Sequence, residues 1–207
     1  MRVSVLIVDD FYDDADVVRR NAVGFDFPQP DKEKNYPGRN STQNFLPDGL
    51  DDIVSQLVHE PVIGHPTPDH GRFRISLQGD DRDRRYYVHV DGHVHWSGIL
   101  FLSPDEFCQG GTEFFRHRET GSDRTFIYDR EAQERGWDSC AQFTDETLNR
   151  DSSDLSKWEH LMTVPMRFNR LVLFRPWFWH TSGASFGDTL ENGRLVQLFF
   201  FKSAPTS

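Results

Sequence analysis

The spacing of hydrophobic and polar positions in the first part of the chain predicts a strand followed by two helices. Residues 3–8 form a short run rich in β-branched side chains, and residues 13–23 place apolar side chains on one helical face. Residues 49–59 repeat the helical spacing and predict a supporting helix. The intervening residues 24–48 contain several prolines and two glycines, so we expect an ordered loop there. Residues 1–60 thus predict an N-terminal strand with support helices.

Further along, short apolar runs separated by turn residues predict β-strands. Residues 86–103 read YYVHVDGHVHWSGILFLS, a pattern that predicts a strand, a short polar turn and a second apolar strand. A Gly-Gly-Thr turn at 110–112 reopens an extended run. Residues 167–180, RFNRLVLFRPWFWH, predict another strand, and residues 193–201, GRLVQLFFF, predict the last one. Its three consecutive phenylalanines require burial on both faces of that strand.

The segment 115–165 differs from its surroundings because it is highly charged and has only scattered large apolar residues. It predicts a partly helical excursion from the sheet. Either it is a lid that closes over a substrate and excludes water, or it is a solvated decoration or an oligomer contact.

The candidate chemistry lies in the segment His89-Val90-Asp91, together with His180 and Arg194. Side chains two apart on a strand point to the same face, so His89 and Asp91 can bind one ion together. His180 as a third ligand would complete two histidines and one carboxylate, the ligand set of non-haem Fe(II) oxygenases, and would leave positions open for a co-substrate and dioxygen. Arg194 offers a forked cation for the far carboxylate of a dicarboxylate, which predicts 2-oxoglutarate.

The order of these motifs resembles that of the 2-oxoglutarate-dependent Fe(II) dioxygenase superfamily, and most of all its small bacterial prolyl-hydroxylase-like group. The matching features are the strand with H-x-D, the apolar strand, the Gly-Gly-Thr turn, the distal histidine and the Gly-Arg that opens the final strand. The resemblance covers residues 86–201, except that 115–165 fits poorly and looks like a family-specific insertion. It implies a mainly β protein with flanking helices (α+β) and a double-stranded β-helix, or cupin-like jelly-roll, core. We expect a single dioxygenase-like domain over 1–207, with the jelly roll at 86–201 and a lid insertion at 115–165.

The same resemblance implies roles for individual residues. His89, Asp91 and His180 would bind Fe(II), and Arg194 would bind the C5 carboxylate of 2-oxoglutarate. The implied reaction consumes O2 and 2-oxoglutarate, releases succinate and CO2, and hydroxylates an unactivated C–H bond. Related halogenases replace the carboxylate ligand with a small residue, so Asp91 points to hydroxylation or another chloride-independent oxidation.

The chain departs from the family pattern two residues after the arginine. Many relatives have Ser or Thr there, whereas this chain has Val196. The second hydrogen bond to the 2-oxoglutarate carboxylate must then come from another group, for which Tyr86 and Tyr87 are the candidates.

Other polar and aromatic residues near these motifs have two interpretations each. His93 and His95 continue the alternation and are either further ligands or lining residues, although the Asp91-Gly92 pair favours a bend that would break their alignment. A second set is either structural, in turns, ion pairs and core packing, or in contact with a substrate. This set consists of Arg39, Asn40, Arg170, Arg175, Trp177 and Trp179.

Composition narrows the class of protein. A chain of 207 residues with 14% aromatic residues suits one well-packed domain, and a net charge of -10 argues against nucleic acid as the principal partner. Cys108 and Cys140 are too few for a disulfide framework, so we expect reduced thiols. Neither a signal peptide nor a membrane-spanning run is evident, and we expect a soluble cytoplasmic protein without a membrane partner.

Two other functions compete with the oxygenase. One is a jelly-roll binding module that keeps the metal residues without turnover, and the other is a zinc hydrolase that uses the His-rich run 89–95. The expected substrate is a small molecule such as an amino acid or a natural-product intermediate, with a peptide as the alternative. A homodimer is left open by the sequence.

Overall fold

The computed structural model describes residues 3–29, 36–80 and 87–205. Its helices are α1 (Ala15–Val23), α2 (Leu50–Val58), α3 (Asp129–Gln133) and α4 (Cys140–Asp151). Its strands are β1 (Val5–Val8), β2 (Arg39–Asn44), β3 (Val62–Gly64), β4 (Arg72–Ser76), β5 (Trp96–Phe101), β6 (Gly111–His117), β7 (Trp158–Pro165), β8 (Leu171–Phe174), β9 (His180–Thr181) and β10 (Arg194–Ser203). Within the described ranges, no helix has both the length and the apolar character needed to cross a bilayer.

The described strands form two antiparallel sheets. The larger sheet has the order β1-β8-β5-β10-β4-β2, with β3 also paired to β10, and the smaller sheet has the order β7-β6-β9. Strand β10 lies at the centre of the larger sheet because it pairs with β5 on one side and with β4 and β3 on the other. Close packing between β5 and β10 requires a glycine at position 98, where a Cβ would approach the Cβ of Phe199 to 3.0 Å.

The two faces of β10 belong to different parts of the core. Leu195 and Phe199 pack in a cluster with residues of α1 and α2, on the outer face of the larger sheet. Val196 and Leu198 pack in a second cluster that includes β6 and β7 residues and therefore lies between the two sheets. This alternation gives each face of the strand its own apolar layer. The protein is mainly β with flanking helices around a jelly-roll core, as the sequence predicts.

Strand β2 differs from the prediction, because it lies inside the segment 24–48 that we expected to be a loop. Its sequence, RNSTQN, has no apolar alternation. It forms by backbone pairing with β4 at the edge of the sheet, where Arg39 lies opposite Ile75. Edge pairing of a polar strand leaves no hydrophobic signal, so the prediction of an irregular loop was wrong for these residues.

Two predicted strands near the candidate site also differ. Residues 87–91 form no regular strand and keep only one isolated bridge, between His89 and His180. The expected strand 167–180 divides into β8, in the larger sheet, and β9, in the smaller one. Pro176 lies between them and has no N–H to donate, which breaks the ladder where the chain crosses from one sheet to the other.

The charged excursion expected at residues 115–165 covers fewer residues in the structure. Strands β6 and β7 take up both ends of 115–165, and the part between them, 118–157, contains α3, α4 and a single 3-10 turn. Its apolar residues form a third cluster in which Phe143 packs against Trp179 at a centroid distance of 5.9 Å. The excursion is thus anchored to the jelly roll by a core of its own.

Both cysteines are free thiols. Burial raises the pKa of Cys108 and of Cys140 to about 11, so both are protonated near neutral pH.

Candidate metal centre

Three side chains with metal-binding atoms converge between the two sheets. One ligand atom from each of His89, Asp91 and His180 lies within 4.8 Å of the others. The His180 Nε2 is 3.5 Å from one carboxylate oxygen of Asp91, and the His89 Nε2 is 4.0 Å from the other. These distances leave room for one ion that the three side chains would share.

Backbone hydrogen bonds fix the segment that carries two of these residues. The N–H of His89 donates to the carbonyl of His180 at 2.9 Å, and the N–H of His180 donates back at 3.0 Å. The N–H of Asp91 donates to the carbonyl of Pro176 at 3.0 Å. Ser152, at the end of α4, donates its hydroxyl to the carbonyl of Val88 at 2.7 Å. The ligand segment is therefore positioned by its neighbours, since it has no strand of its own.

Both imidazoles are oriented with Nε2 towards the shared space. The His180 Nδ1 lies 2.8 Å from the carbonyl of Phe178, and the His89 Nδ1 lies 3.3 Å from the carbonyl of Tyr87. A carbonyl can only accept, so each Nδ1 carries the hydrogen and each Nε2 keeps its lone pair for an ion. This is the usual outer support of a metal-binding histidine.

Electrostatics favour the protonation states that a metal requires. Burial, together with the neighbouring His180, lowers the pKa of His89 to about 4, so this imidazole is neutral near pH 7. Burial acts to raise the pKa of Asp91, but the two histidines and a 2.6 Å hydrogen bond from Ser97 outweigh it and lower that pKa. Neutral imidazole and ionised carboxylate are the forms that bind divalent metals.

The three residues line a cleft, here called the inner cleft, whose cavity volume is about 60 Å³. Arg194 and Thr112, from β10 and β6, also line it. Arg194 is only 2% exposed. Thr112 is 1% exposed, and within the described part of the chain its hydroxyl oxygen has no hydrogen-bond partner. An unpaired buried hydroxyl lowers folding stability, so this oxygen indicates a bound ligand that would supply its missing hydrogen-bond partner.

Thr112 was not among the residues that the sequence analysis singled out. Its signal was the Gly-Gly-Thr turn, but only the fold reveals the direction of the side chain. Of the two tyrosines that were singled out, Tyr86 lies outside the described residues, and the Tyr87 side chain packs against the third cluster.

The two arginines expected near the site are engaged elsewhere. Arg170 contacts the carboxylate of Asp9, with Nε and Oδ1 at 2.5 Å. Arg175 contacts Glu60 and His95 and stacks over the ring of Trp96 at 3.9 Å. Both form structural ion pairs outside the inner cleft.

The remaining predicted residues line no part of the inner cleft. Trp179 is fully buried and packs on Trp158 at 5.5 Å, while Trp177 makes an edge contact with His95 at 6.1 Å. Asn40, beside Arg39 on β2, accepts a hydrogen bond from Arg74, a residue that the sequence analysis did not single out. His93 is exposed in the predicted bend, with a φ of 66°.

A second group of potential ligand atoms comprises His117, Glu119 and Asp151. His117 uses one ring nitrogen on Thr120 and the other on Asp151, at 3.0 and 2.9 Å. Arg150 contacts both carboxylates. The charges of this group are already matched by protein atoms, so it acts as a structural link between β6 and α4.

A family model described as "Family of unknown function (DUF6445)" matches residues 1–201. A search of curated proteins finds no match. Among solved structures, HygX from Streptomyces hygroscopicus with nickel and 2-oxoglutarate bound aligns with a TM-score of 0.53 at 13% identity, covering 98% of this chain and 84% of HygX. HygX with nickel, 2-oxoglutarate and hygromycin B bound gives a TM-score of 0.54 at 12% identity over the same shares. At this identity the likeness establishes the fold alone.

Proposed function

We propose that this chain, which belongs to the DUF6445 family of unknown function, is an Fe(II)- and 2-oxoglutarate-dependent oxygenase that hydroxylates a small molecule. The observation that carries the proposal is the convergence of His89, Asp91 and His180 beside a buried arginine in one cleft. Two histidines and one carboxylate leave three positions open on an octahedral ion. The fold shared with HygX, a protein that binds nickel and 2-oxoglutarate, supports the same class.

In this proposal, Arg194 binds the far carboxylate of 2-oxoglutarate. A guanidinium presents paired N–H groups that match a carboxylate, and burial strengthens the contact. The Thr112 hydroxyl donates the second hydrogen bond to the same carboxylate, and so takes over the role that Val196 cannot play. Both residues line the cleft that contains the three metal-binding side chains.

The bound metal would supply O2 activation coupled to oxidative decarboxylation of 2-oxoglutarate, with succinate and CO2 as products. The protein's own residues bind, orient and exclude water. Ser97 holds one oxygen of Asp91, and the two backbone carbonyls hold the imidazoles. Apolar side chains from three strands close the walls of the cleft: Ile99, Phe174, Val196, Leu198 and Phe200.

The test is an anaerobic titration of metal-free protein with Fe(II) and then 2-oxoglutarate, followed by visible absorption. We expect a weak charge-transfer band that requires both additions. Asp91→Ala should abolish the band by removing a ligand, and Arg194→Ala should leave Fe(II) binding intact while weakening 2-oxoglutarate binding. Arg116→Gln, at a surface position on β6 paired with Glu159, is the matched control for loss of a positive charge.

Three outcomes separate the functions. A band together with succinate release in the presence of O2 supports the oxygenase. A band without any succinate, with or without candidate substrates, favours a binding module that has lost turnover. If neither Fe(II) nor 2-oxoglutarate binds, the oxygenase proposal fails.

A further inference from the structure

We propose that Arg74 binds a carboxylate of the substrate beside the metal centre, so that the substrate is a small organic anion. This inference rests on the proposed function and deepens it by naming the substrate class. Arg74 lies on β4, opposite Val196 of β10, while Arg194 lies opposite Ser76. The two arginines therefore share one face of neighbouring strands and stand diagonally to each other.

Their positions along the cleft differ. Arg194 lines the inner cleft, whereas Arg74 lines both the inner cleft and an adjoining outer cleft, which is bounded by His65, Asp69, Gly92 and His93 among others. Asp91 and His89 also border both spaces. Arg74 thus stands where a molecule entering from the outer cleft would reach the metal. From this placement we assign Arg194 to binding the co-substrate and Arg74 to binding the substrate.

The Arg74 guanidinium is held in place by neutral groups. Its Nε donates to the Asn40 side-chain oxygen at 2.7 Å, and its central carbon lies 3.4 Å from the centroid of the Tyr36 ring. Asn40 is itself fixed by a 2.9 Å hydrogen bond to Asp69. Tyr36 also forms a side-chain hydrogen bond with Arg74. The remaining Nη–H groups of the guanidinium can bind a carboxylate.

The charges of the described residues favour an anion at this position. Asp69 contacts Arg72 at 3.4 Å, so part of its charge is matched there. Burial lowers the pKa of Arg74, and Tyr36, Asp69 and Asp91 offset part of this effect. In the loaded inner cleft, a divalent metal and two arginines would carry four positive charges, while Asp91 and the 2-oxoglutarate dianion would carry three negative ones. One positive charge remains, which matches one carboxylate.

The test uses the Fe(II)- and 2-oxoglutarate-loaded protein without O2, and follows the charge-transfer band as probes are added. The probes are benzoate, L-leucine and L-phenylalanine, each paired with its primary amide, and hygromycin B as a polycation. We expect at least one carboxylate to bind at least tenfold more tightly than its amide. Arg74→Gln should remove this preference, and Arg74→Lys should retain part of it. Arg116→Gln should keep all of it, and 2-oxoglutarate affinity should change less than threefold in the Arg74 variants.

Three results of the probe titration would overturn the inference: acids and amides bind equally, hygromycin B alone binds, or no probe binds. The inference also fails if Arg74→Gln loses as much 2-oxoglutarate affinity as Arg194→Ala. In each case, normal Fe(II) and 2-oxoglutarate binding by the wild type would leave the oxygenase proposal standing. A wild type that binds neither would overturn both.

Discussion

Thr112→Val should weaken co-substrate binding without lowering folding stability. The Thr112 hydroxyl is buried and has no partner within the described residues. An unsatisfied buried polar group costs about 1–3 kcal/mol, so its replacement by a methyl group of similar shape should leave the metal-free protein equally stable or up to about 1 kcal/mol more stable. If the hydroxyl donates to the 2-oxoglutarate carboxylate, its loss should cost about 1.5–3 kcal/mol of binding. This corresponds to roughly a tenfold to hundredfold rise in Kd.

The assay pairs urea denaturation of the metal-free protein with a 2-oxoglutarate titration of the metal-loaded protein. Thr125→Val is the matched control, because the Thr125 hydroxyl is hydrogen-bonded to that of Thr144 at a distance from the cleft. That substitution should lower the free energy of unfolding by about 1 kcal/mol and leave the 2-oxoglutarate Kd unchanged. A Thr112→Val protein that loses stability and keeps its 2-oxoglutarate affinity would refute the assignment of this hydroxyl.

Three further changes probe the site and its surroundings. Ser97→Ala removes the 2.6 Å hydrogen bond to Asp91 and should lower Fe(II) affinity at least about tenfold in an anaerobic titration, whereas Ser103→Ala, at another buried serine, should not. Arg175→Gln leaves Glu60 without its arginine partner and should reduce the free energy of unfolding in urea by about 2 kcal/mol, while the 2-oxoglutarate Kd stays unchanged. Unchanged stability with weaker ligand binding would instead indicate a binding role for Arg175. The pKa of His89 is lowered to about 4, below the roughly 6.5 of an unfolded histidine, so the unfolded chain takes up the extra proton as pH falls. The metal-free protein should therefore lose about 2 kcal/mol of stability from pH 7 to pH 5, and His89→Gln should flatten this dependence.

The sequence was most informative where residue chemistry and the order of motifs agree, because the strand periodicity expected around His89 and Asp91 is absent from the structure. His89, Asp91 and His180 do come together, and Arg194 does line the same cleft. The central strand β10 was also predictable, since its apolar run, interrupted by Gln197 alone between Leu195 and Phe201, is typical of a strand buried on both faces.

What escaped prediction depends on long-range pairing. Strand β2 has a polar sequence, and only its partner β4 makes it a strand. Arg74 follows an apolar residue on a short strand and gives no local sign that it faces the metal, because the side is set by its register with β10. Tertiary neighbours likewise decide that Arg170 and Arg175 pair with acids far along the chain.

The hydrogen bonds between Ser152 and Val88 bear on how this protein can move. Ser152 closes α4, and it both donates to and accepts from the backbone of Val88, next to the first metal-binding histidine. A rigid movement of the 118–157 excursion would either break these bonds or displace the ligand segment with it. The position of the excursion and that of the ligand segment are therefore coupled, and we expect a large opening of the excursion to weaken metal binding. Slow hydrogen exchange at α4 should then track metal occupancy, although no residue of α4 binds the ion.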